Sequence, residues 1–295
     1  MNQLIRLPSG RNLEVREYGD PTGHPTIFFH GLVGSHHQAS YIGEQARRAG
    51  LRLIAPNRPG VGRSDFITRK TAIEVVPDVR DLARELGLAE FSVIGISGGA
   101  PYALAVLHQL RQRVRTTTVL SGMGPARPFG ALRGMDRRRR WLIELGTRFP
   151  RLAISAYERM TAAFRKAPER FLKALVSTWP KPDQAIFDRP EVFNLFVEDL
   201  HEVFTRGVGA KGVVQELGVY RHYGFPLAEL PADRLVTLWH GLDDTIVPPA
   251  MAWTMTRQVP LRETHFVPGG HFVAVTIAER VIERVREQLK DTGAS

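Results

Sequence analysis

The sequence of 295 residues contains no cysteine, which excludes disulfide bonds, thiolate metal sites and a cysteine nucleophile. It also lacks any apolar run of the ~18–20 residues that a membrane-spanning helix requires. The first residues show no charged segment followed by an apolar one, so we expect no secretory signal. Together these absences lead us to expect a cytoplasmic protein without a transmembrane segment.

Acidic residues are the scarcer charged type, because 30 Asp and Glu stand against 40 Lys and Arg and leave a net charge of +10. The excess is concentrated in residues 125–225, which hold 18 basic and 11 acidic residues, with the densest run at residues 137–140. Basic runs of this kind usually form a solvated helix face. No zinc-ligand spacing, RNA-binding signature or helix-turn-helix pattern accompanies the run, so we expect no nucleic-acid partner.

What the sequence does contain is an alternation of short apolar runs with helical segments. Strands are predicted over residues 4–7, 13–18, 26–29, 52–55, 91–96, 115–120, 235–240 and 263–267, and helices over 35–49, 71–86, 100–110, 249–258 and 272–289. This alternation predicts an α/β fold, with a mostly parallel central sheet flanked by helices. Residues 125–225 contain only helix-length pieces divided by prolines, which predicts a helical insertion into a core formed by residues 1–124 and 226–295.

A Gly-x-Ser-x-Gly motif centred on Ser97 joins the buried strand at residues 91–96 to the helix at residues 100–110. Glycines on both sides of the serine permit a sharp turn that larger side chains would crowd. Such a turn places the hydroxyl group at the carboxyl edge of the sheet, near the positive end of a helix dipole. The motif therefore predicts that Ser97 is a nucleophile.

A serine nucleophile needs a base and an acid that orients the base. In a parallel sheet these partners are expected beyond the carboxyl ends of other strands. His271 lies in the loop after the last predicted strand, and Asp243 and Asp244 follow the strand before it. His240 and His265 lie within strands or at their ends and are expected to be structural. The positions alone predict His271 as the base and leave both aspartates open as the acid.

These motifs resemble the α/β-hydrolase superfamily, and the resemblance extends over residues 13–289. Members of that superfamily carry the order nucleophile, acid, histidine, which implies Ser97, Asp244 and His271. The usual acid turn of the family, Gly-x-x-Asp-x-x-Val-Pro, is matched by residues 241–248 and favours the second of the two aspartates.

The resemblance also implies an oxyanion hole. The His30-Gly31 pair is similar to the family's oxyanion-hole loop, which implies the backbone N–H groups of Leu32 and Gly98 as donors. His30 itself is expected to brace the loop. The insertion at residues 125–225 corresponds to the family's helical cap.

The activity that the resemblance implies is cleavage of a small-molecule carboxylic ester through an acyl-enzyme, as in carboxylesterases, with no cofactor and no metal. Dehalogenases and epoxide hydrolases of the superfamily place an aspartate at the elbow, and Ser97 argues against both. Iminopeptidase-like aminopeptidases that act on amides, C–C bond hydrolases, cofactor-free haloperoxidases and a non-catalytic ligand receptor stay open. A peptidase needs carboxylates for a free amino terminus, and Glu198, Asp199 and Glu202 are its candidates.

Overall fold

In a computed structural model, residues 2–125, 132–260, 263–291 and 293 are described. The described residues form eight strands: β1 (Asn2–Arg6), β2 (Asn12–Gly19), β3 (His24–Phe29), β4 (Leu51–Pro56), β5 (Phe91–Ile96), β6 (Val114–Leu120), β7 (Leu235–Gly241) and β8 (Glu263–Val267). They make one sheet in the order β1-β2-β4-β3-β5-β6-β7-β8. The pairs β1–β2 and β2–β4 are antiparallel and the other pairs are parallel. The predicted α/β class with a mostly parallel sheet is confirmed.

The α-helices are α1 (Gly43–Arg48), α2 (Val76–Glu85), α3 (Ala100–Leu110), α4 (Arg137–Arg148), α5 (Pro150–Lys166), α6 (Pro168–Val176), α7 (Lys181–Phe187), α8 (Pro190–His201), α9 (Ala210–Val219), α10 (Pro249–Thr256), α11 (Val273–Thr276) and α12 (Ala278–Asp291). Some predicted helices are subdivided. The segment at 35–49 begins as a 3₁₀ helix (His36–Ile42), as does that at 71–86 (Ala72–Val75). The segment at 272–289 is divided between α11 and α12.

Alternate side chains of the central strands enter two separate cores, because successive residues of a strand face opposite sides of a sheet. Val93 of β5 packs in the core covered by α2, α3 and α10, whereas Ile94 packs in the core covered by α1 and α12. All six residues of β5 are buried. The strand that precedes Ser97 is therefore fixed on both faces.

Helices α4 to α9 lie between β6 and β7 in the chain and have a hydrophobic core of their own. We call residues 132–225 the helical insertion. Its core also includes Met123, Val247 and Met251, which follow strands β6 and β7. The helical insertion therefore covers the carboxyl edge of the sheet. Residue 1, residues 126–131 of the predicted cap and residues 261–262, 292 and 294–295 of the predicted core lie outside the described residues.

None of the helices within the described ranges combines the length and the apolar character that crossing a bilayer requires.

Candidate active site

Ser97 lies directly after β5 with a backbone φ of +52°, a conformation that residues other than glycine rarely adopt. The close packing around it requires the glycines that follow. A Cβ atom at Gly98 would lie 2.0 Å from the hydroxyl of Tyr220, and one at Gly99 would lie 2.0 Å from the carbonyl oxygen of Phe29. The turn therefore has the sharp form that the sequence motif predicts.

The structure brings Ser97, His271 and Asp244 together. His271 Nε2 lies 2.9 Å from Ser97 Oγ, and His271 Nδ1 lies 2.7 Å from Asp244 Oδ2. The second oxygen of Asp244 accepts the backbone N–H groups of Ile246 and Val247, both at 2.8 Å. All three side chains are buried. A carboxylate fixed in this way orients the imidazole so that its Nε2 atom faces the serine hydroxyl.

The competing residues have other partners. Asp243 is exposed, and its carboxylate accepts the backbone N–H of Gly269 at 3.2 Å. His240 Nε2 donates to the carbonyl oxygen of Val247 at 2.8 Å and is farther from Asp244 Oδ2, at 3.5 Å, than His271 is, at 2.7 Å; burial lowers the pKa of His240. His265 stacks on a tryptophan and lies 3.1 Å from a glutamate of its own strand. The geometry therefore favours Asp244 and His271 over these residues as partners of the serine.

The two sequence-predicted oxyanion donors lie beside Ser97. A Cβ atom added to Gly98 would be 3.1 Å from Leu32 Cβ, and one added to Gly31 would be 3.1 Å from Ser97 Cβ. Within the described ranges, the backbone N–H of Leu32 donates to no acceptor. Gly98 is in the first turn of a helical segment, where backbone N–H groups lack an intrahelical acceptor. Both N–H groups are thus available to bind an oxygen at the serine.

His30 and Arg58 hold the loop that carries Leu32. His30 is fully buried; its Nδ1–H donates to the carbonyl oxygen of Gly31 at 3.0 Å, and its Nε2 accepts the backbone N–H of Arg58 at 3.1 Å. Burial and the nearby guanidinium keep the pKa of His30 well below its usual value. The Arg58 side chain donates to the carbonyl oxygens of both His30 and Gly31. His30 has the bracing contacts expected from the sequence, whereas the contribution of Arg58 was not predicted.

Asp183 of α7 contacts the backbone of the histidine loop. Its two carboxylate oxygens accept the N–H groups of His271 and Phe272, both at 2.9 Å. The side chain is fully buried, and burial raises its pKa. A residue of the helical insertion therefore positions the backbone from which His271 projects.

Asp199 of α8 holds the segment that follows the oxyanion loop. It accepts hydrogen bonds from the backbone N–H and the hydroxyl of Ser35, at 2.7 and 2.5 Å, and from the amide of Gln38 at 2.8 Å. Gln38 in turn accepts the backbone N–H of Gly31 at 2.7 Å. Complete burial raises the pKa of Asp199 to about 7, although the hydrogen bonds favour its charged form.

Glu216 of α9 is the third buried carboxylate of the helical insertion that reaches a core loop. It forms ion pairs with Arg58, at 3.2 Å, and with Arg69, and it accepts the hydroxyl of Tyr102 at 2.9 Å. Arg58 is the residue that holds the oxyanion loop. We refer to Asp183, Asp199 and Glu216 as the three bridging carboxylates. Sequence reasoning missed this role for all three and named Asp199 only as a candidate for binding a peptide's amino terminus, because acidic residues on amphipathic helices usually face solvent.

A cavity of about 220 Å³ opens at Ser97 and His271. Its walls are mostly apolar and come from both the core and the helical insertion, which supplies Leu142, Met160, Leu175 and Phe196 among others. In the part of the chain that the structure describes, Arg139 and the histidine are its ionisable basic groups.

The acidic residues proposed for a peptidase, Glu198, Asp199 and Glu202, are not among the residues that line the cavity. Asp199 binds Ser35 and Gln38, and Glu202 binds Arg206 at 3.0 Å. The aminopeptidase alternative therefore loses the carboxylates on which it depended.

One group of metal-ligating side chains occurs among the described residues. His36, His37 and Glu202 offer ligand atoms within 4.8 Å of one another. Arg206 already neutralises Glu202, and none of the three lines the cavity. We assign this group no part in the chemistry at Ser97.

A family model described as alpha/beta hydrolase fold matches residues 25–276. The chain belongs to the alpha/beta hydrolase fold family. The resemblance drawn from the sequence motifs is thereby confirmed.

Individual members of the alpha/beta hydrolase family are similar over almost the whole chain. The chain is 23% identical over 296 residues to the 2-hydroxymuconate semialdehyde hydrolase of Pseudomonas putida, covering 98% of this chain and 94% of that protein. A bromoperoxidase structure from Bacillus anthracis matches with a TM-score of 0.73 and 17% identity, over 98% of this chain and 100% of that one. An esterase structure from Exiguobacterium antarcticum matches with a TM-score of 0.67 and 18% identity, over the same shares. At these identities the structural matches show the shared fold.

Proposed function

We propose that this alpha/beta hydrolase is a serine hydrolase that cleaves a carboxylic ester of a small, largely apolar molecule. The observation that carries the proposal is the contact chain from Ser97 Oγ to His271 Nε2, at 2.9 Å, and from His271 Nδ1 to Asp244, at 2.7 Å. A serine hydroxyl becomes an effective nucleophile when a base in hydrogen-bond contact accepts its proton.

In the proposed reaction, Ser97 Oγ attacks the ester carbonyl carbon while its proton passes to His271 Nε2. Asp244 balances the charge of the imidazolium that forms. The tetrahedral oxyanion accepts hydrogen bonds from the backbone N–H groups of Leu32 and Gly98, and losing one such donor typically costs ~10²–10³ in rate. His271 then protonates the leaving alcohol, and a water that it deprotonates hydrolyses the acyl-enzyme.

The test is the Ser97→Ala variant assayed on p-nitrophenyl esters of increasing acyl length. We expect turnover to fall by a factor of about 10⁴ or more, because the nucleophile is removed. Labelling by a fluorophosphonate should be lost in the same variant and retained in Ser177→Ala, which alters an exposed hydroxyl. Full esterase activity in Ser97→Ala would show that the serine is not the nucleophile. Labelling of the unaltered protein without turnover of any ester, thioester or amide would favour a receptor.

Cleavage of a carbon–carbon bond is a second candidate, favoured by the match to the 2-hydroxymuconate semialdehyde hydrolase over 98% of the chain. Hydrolysis of 2-hydroxymuconate semialdehyde can be followed by the loss of its absorbance. A kcat/KM for this compound above that for the best ester would identify the C–C bond as the preferred substrate. A value far below the best ester would favour the esterase.

A further inference from the structure

Arg139 differs from its basic neighbours in where it lies. Arg137, Arg138 and Arg140 are exposed, and Arg140 pairs with Glu144 at 3.1 Å. Arg139 instead lines the cavity that contains Ser97. The Arg139 side chain is 20% exposed, so it does not lie on the solvated face of α4.

The first turn of α4 is fixed beside the loop that carries Asp244. Asp136 caps the helix, because its carboxylate accepts the backbone N–H groups of Arg138 and Arg139 at 3.1 and 3.2 Å. The backbone N–H of Asp136 donates to the carbonyl oxygen of Thr245 at 3.1 Å. Arg139 is therefore held on the side of the cavity that is formed by the loop carrying Asp244.

The guanidinium of Arg139 has few partners for a group with five N–H donors. Its closest carboxylate oxygen is that of Asp136, at 4.0 Å, beyond hydrogen-bond distance. Among the described residues, no acceptor is in hydrogen-bond contact with its side chain. Asp183 and Asp244 also face the Arg139 guanidinium, but Asp183 already binds the backbone of His271 and Asp244 its imidazole. Tyr157 is a further, neutral neighbour of Arg139.

Arg139 is partly buried in the cavity wall, and its closest carboxylate lies 4.0 Å away, so its N–H groups can bind an acceptor that a ligand brings into the cavity. Apart from His271, the remaining cavity wall is uncharged and mostly apolar, so a group bound there by its charge would be bound at Arg139. A planar guanidinium matches a carboxylate with two parallel hydrogen bonds.

We propose that Arg139 is a specificity-determining residue that binds a carboxylate of the substrate, so that the substrate is a carboxylate-bearing ester rather than a neutral one. This inference rests on the proposed hydrolase function at Ser97. In this arrangement the reacting carbonyl lies at Ser97, and the carboxylate lies at the cavity wall beside the loop that carries Asp244. The carboxylate belongs either to the acyl group or to the leaving alcohol, and the experiment separates these two cases.

Matched ester pairs provide the kinetic test. On the acyl side, the p-nitrophenyl monoester of adipic acid is compared with p-nitrophenyl hexanoate; on the alcohol side, 4-acetoxybenzoate is compared with 4-methylphenyl acetate. We expect the anionic member of one pair to be preferred. Arg139→Met should lower its kcat/KM by about tenfold or more, mainly through KM, and leave the neutral member within about twofold. Arg139→Lys should be intermediate, and Arg140→Met should behave like the unaltered protein.

A binding measurement that needs no turnover separates this inference from the proposed function. Hexanoate should raise the melting temperature of the unaltered protein more than hexanamide does, and Arg139→Met should remove the difference. Inactivity on every ester, with the hexanoate effect intact, would refute the esterase and retain the anion site. Equal losses on neutral and anionic esters in Arg139→Met, or equal effects of hexanoate and hexanamide, would overturn the proposal.

Discussion

Replacing Asp183 by alanine removes the acceptor of two backbone N–H groups on which the position of His271 depends. The N–H groups of His271 and Phe272 donate to this carboxylate at 2.9 Å each, and the His271 side chain is buried. Leaving a buried donor unsatisfied costs about 1–3 kcal/mol, so the two together cost about 2–6 kcal/mol of unfolding free energy if the loop stays in place. If the loop moves to regain partners, the cost in stability falls and the histidine shifts.

The two responses have different readouts. A displacement of ~1 Å in a catalytic group can lower the rate by ~10². We expect Asp183→Ala to lose about 10–100-fold in kcat on p-nitrophenyl butyrate, and its midpoint of urea unfolding should fall as well. Asp183→Asn should be affected less, because the amide oxygen still accepts one of the two N–H groups. Fluorophosphonate labelling of Ser97 should slow in proportion to kcat.

Asp188 provides the matched control, since it is an exposed aspartate at the end of the same helix. Asp188→Ala should keep both kcat and the unfolding midpoint. The reasoning would be refuted if Asp183→Ala retained full kcat and an unchanged unfolding free energy, because the two hydrogen bonds would then contribute nothing measurable.

Two further predictions concern Asp199 and Gly98. The pKa of Asp199 is raised by burial to about 7 from an ordinary value near 4, so the folded state binds this proton more tightly than the unfolded state. Its contribution to stability is therefore complete below about pH 4 and is lost as the pH rises to about 7, by up to ~1.4 kcal/mol per pH unit. Urea unfolding across this range should show the dependence and Asp199→Asn should lack it, whereas parallel curves would contradict the assignment. Gly98→Ala would place a methyl group 2.0 Å from the Tyr220 hydroxyl, so esterase activity should fall by about 10²-fold or more. In that variant Tyr220→Phe should restore part of the activity, and a Gly98→Ala enzyme as active as the unaltered one would be incompatible with this packing.

The sheet and the residues brought to Ser97 could be predicted because each has a local signal. Buried parallel strands read as short apolar runs, and glycines mark the turns at which Ser97 and His271 leave the sheet. The acid at position 244 needed the family's turn pattern, since Asp243 is an equally polar neighbour. Local patterns did not predict the form of the helix ends, since the segments that start at residues 36 and 72 begin as 3₁₀ helices.

The roles of the three bridging carboxylates could not be predicted, because their partners are distant in sequence, and the basic run at residues 137–140 did not distinguish Arg139 from its exposed neighbours. Asp199 is 164 residues from Ser35, and Asp183 is 88 residues from His271. Each acid lies on an amphipathic helix beside other charged residues, and hydrophobic periodicity does not show which polar residue is buried. Only the docking of the helical insertion on the sheet edge separates Asp199 from its exposed neighbour Glu198.

The positions of the three bridging carboxylates divide the helical insertion into two parts with different freedom to vary. Helices α7, α8 and α9 each supply one acid to a loop of the core, and α8 and α9 line the cavity as well, whereas α4, α5 and α6 line the cavity and supply none of the three acids. Redesign of the substrate range therefore belongs in α4 to α6, where substitutions reshape the cavity without releasing His271 or the oxyanion loop. If the entire insertion were replaced by that of a relative, the new insertion would need acids at the three equivalent positions. Without them, the loops that position His271 and the oxyanion donors around Ser97 would lose their hydrogen bonds.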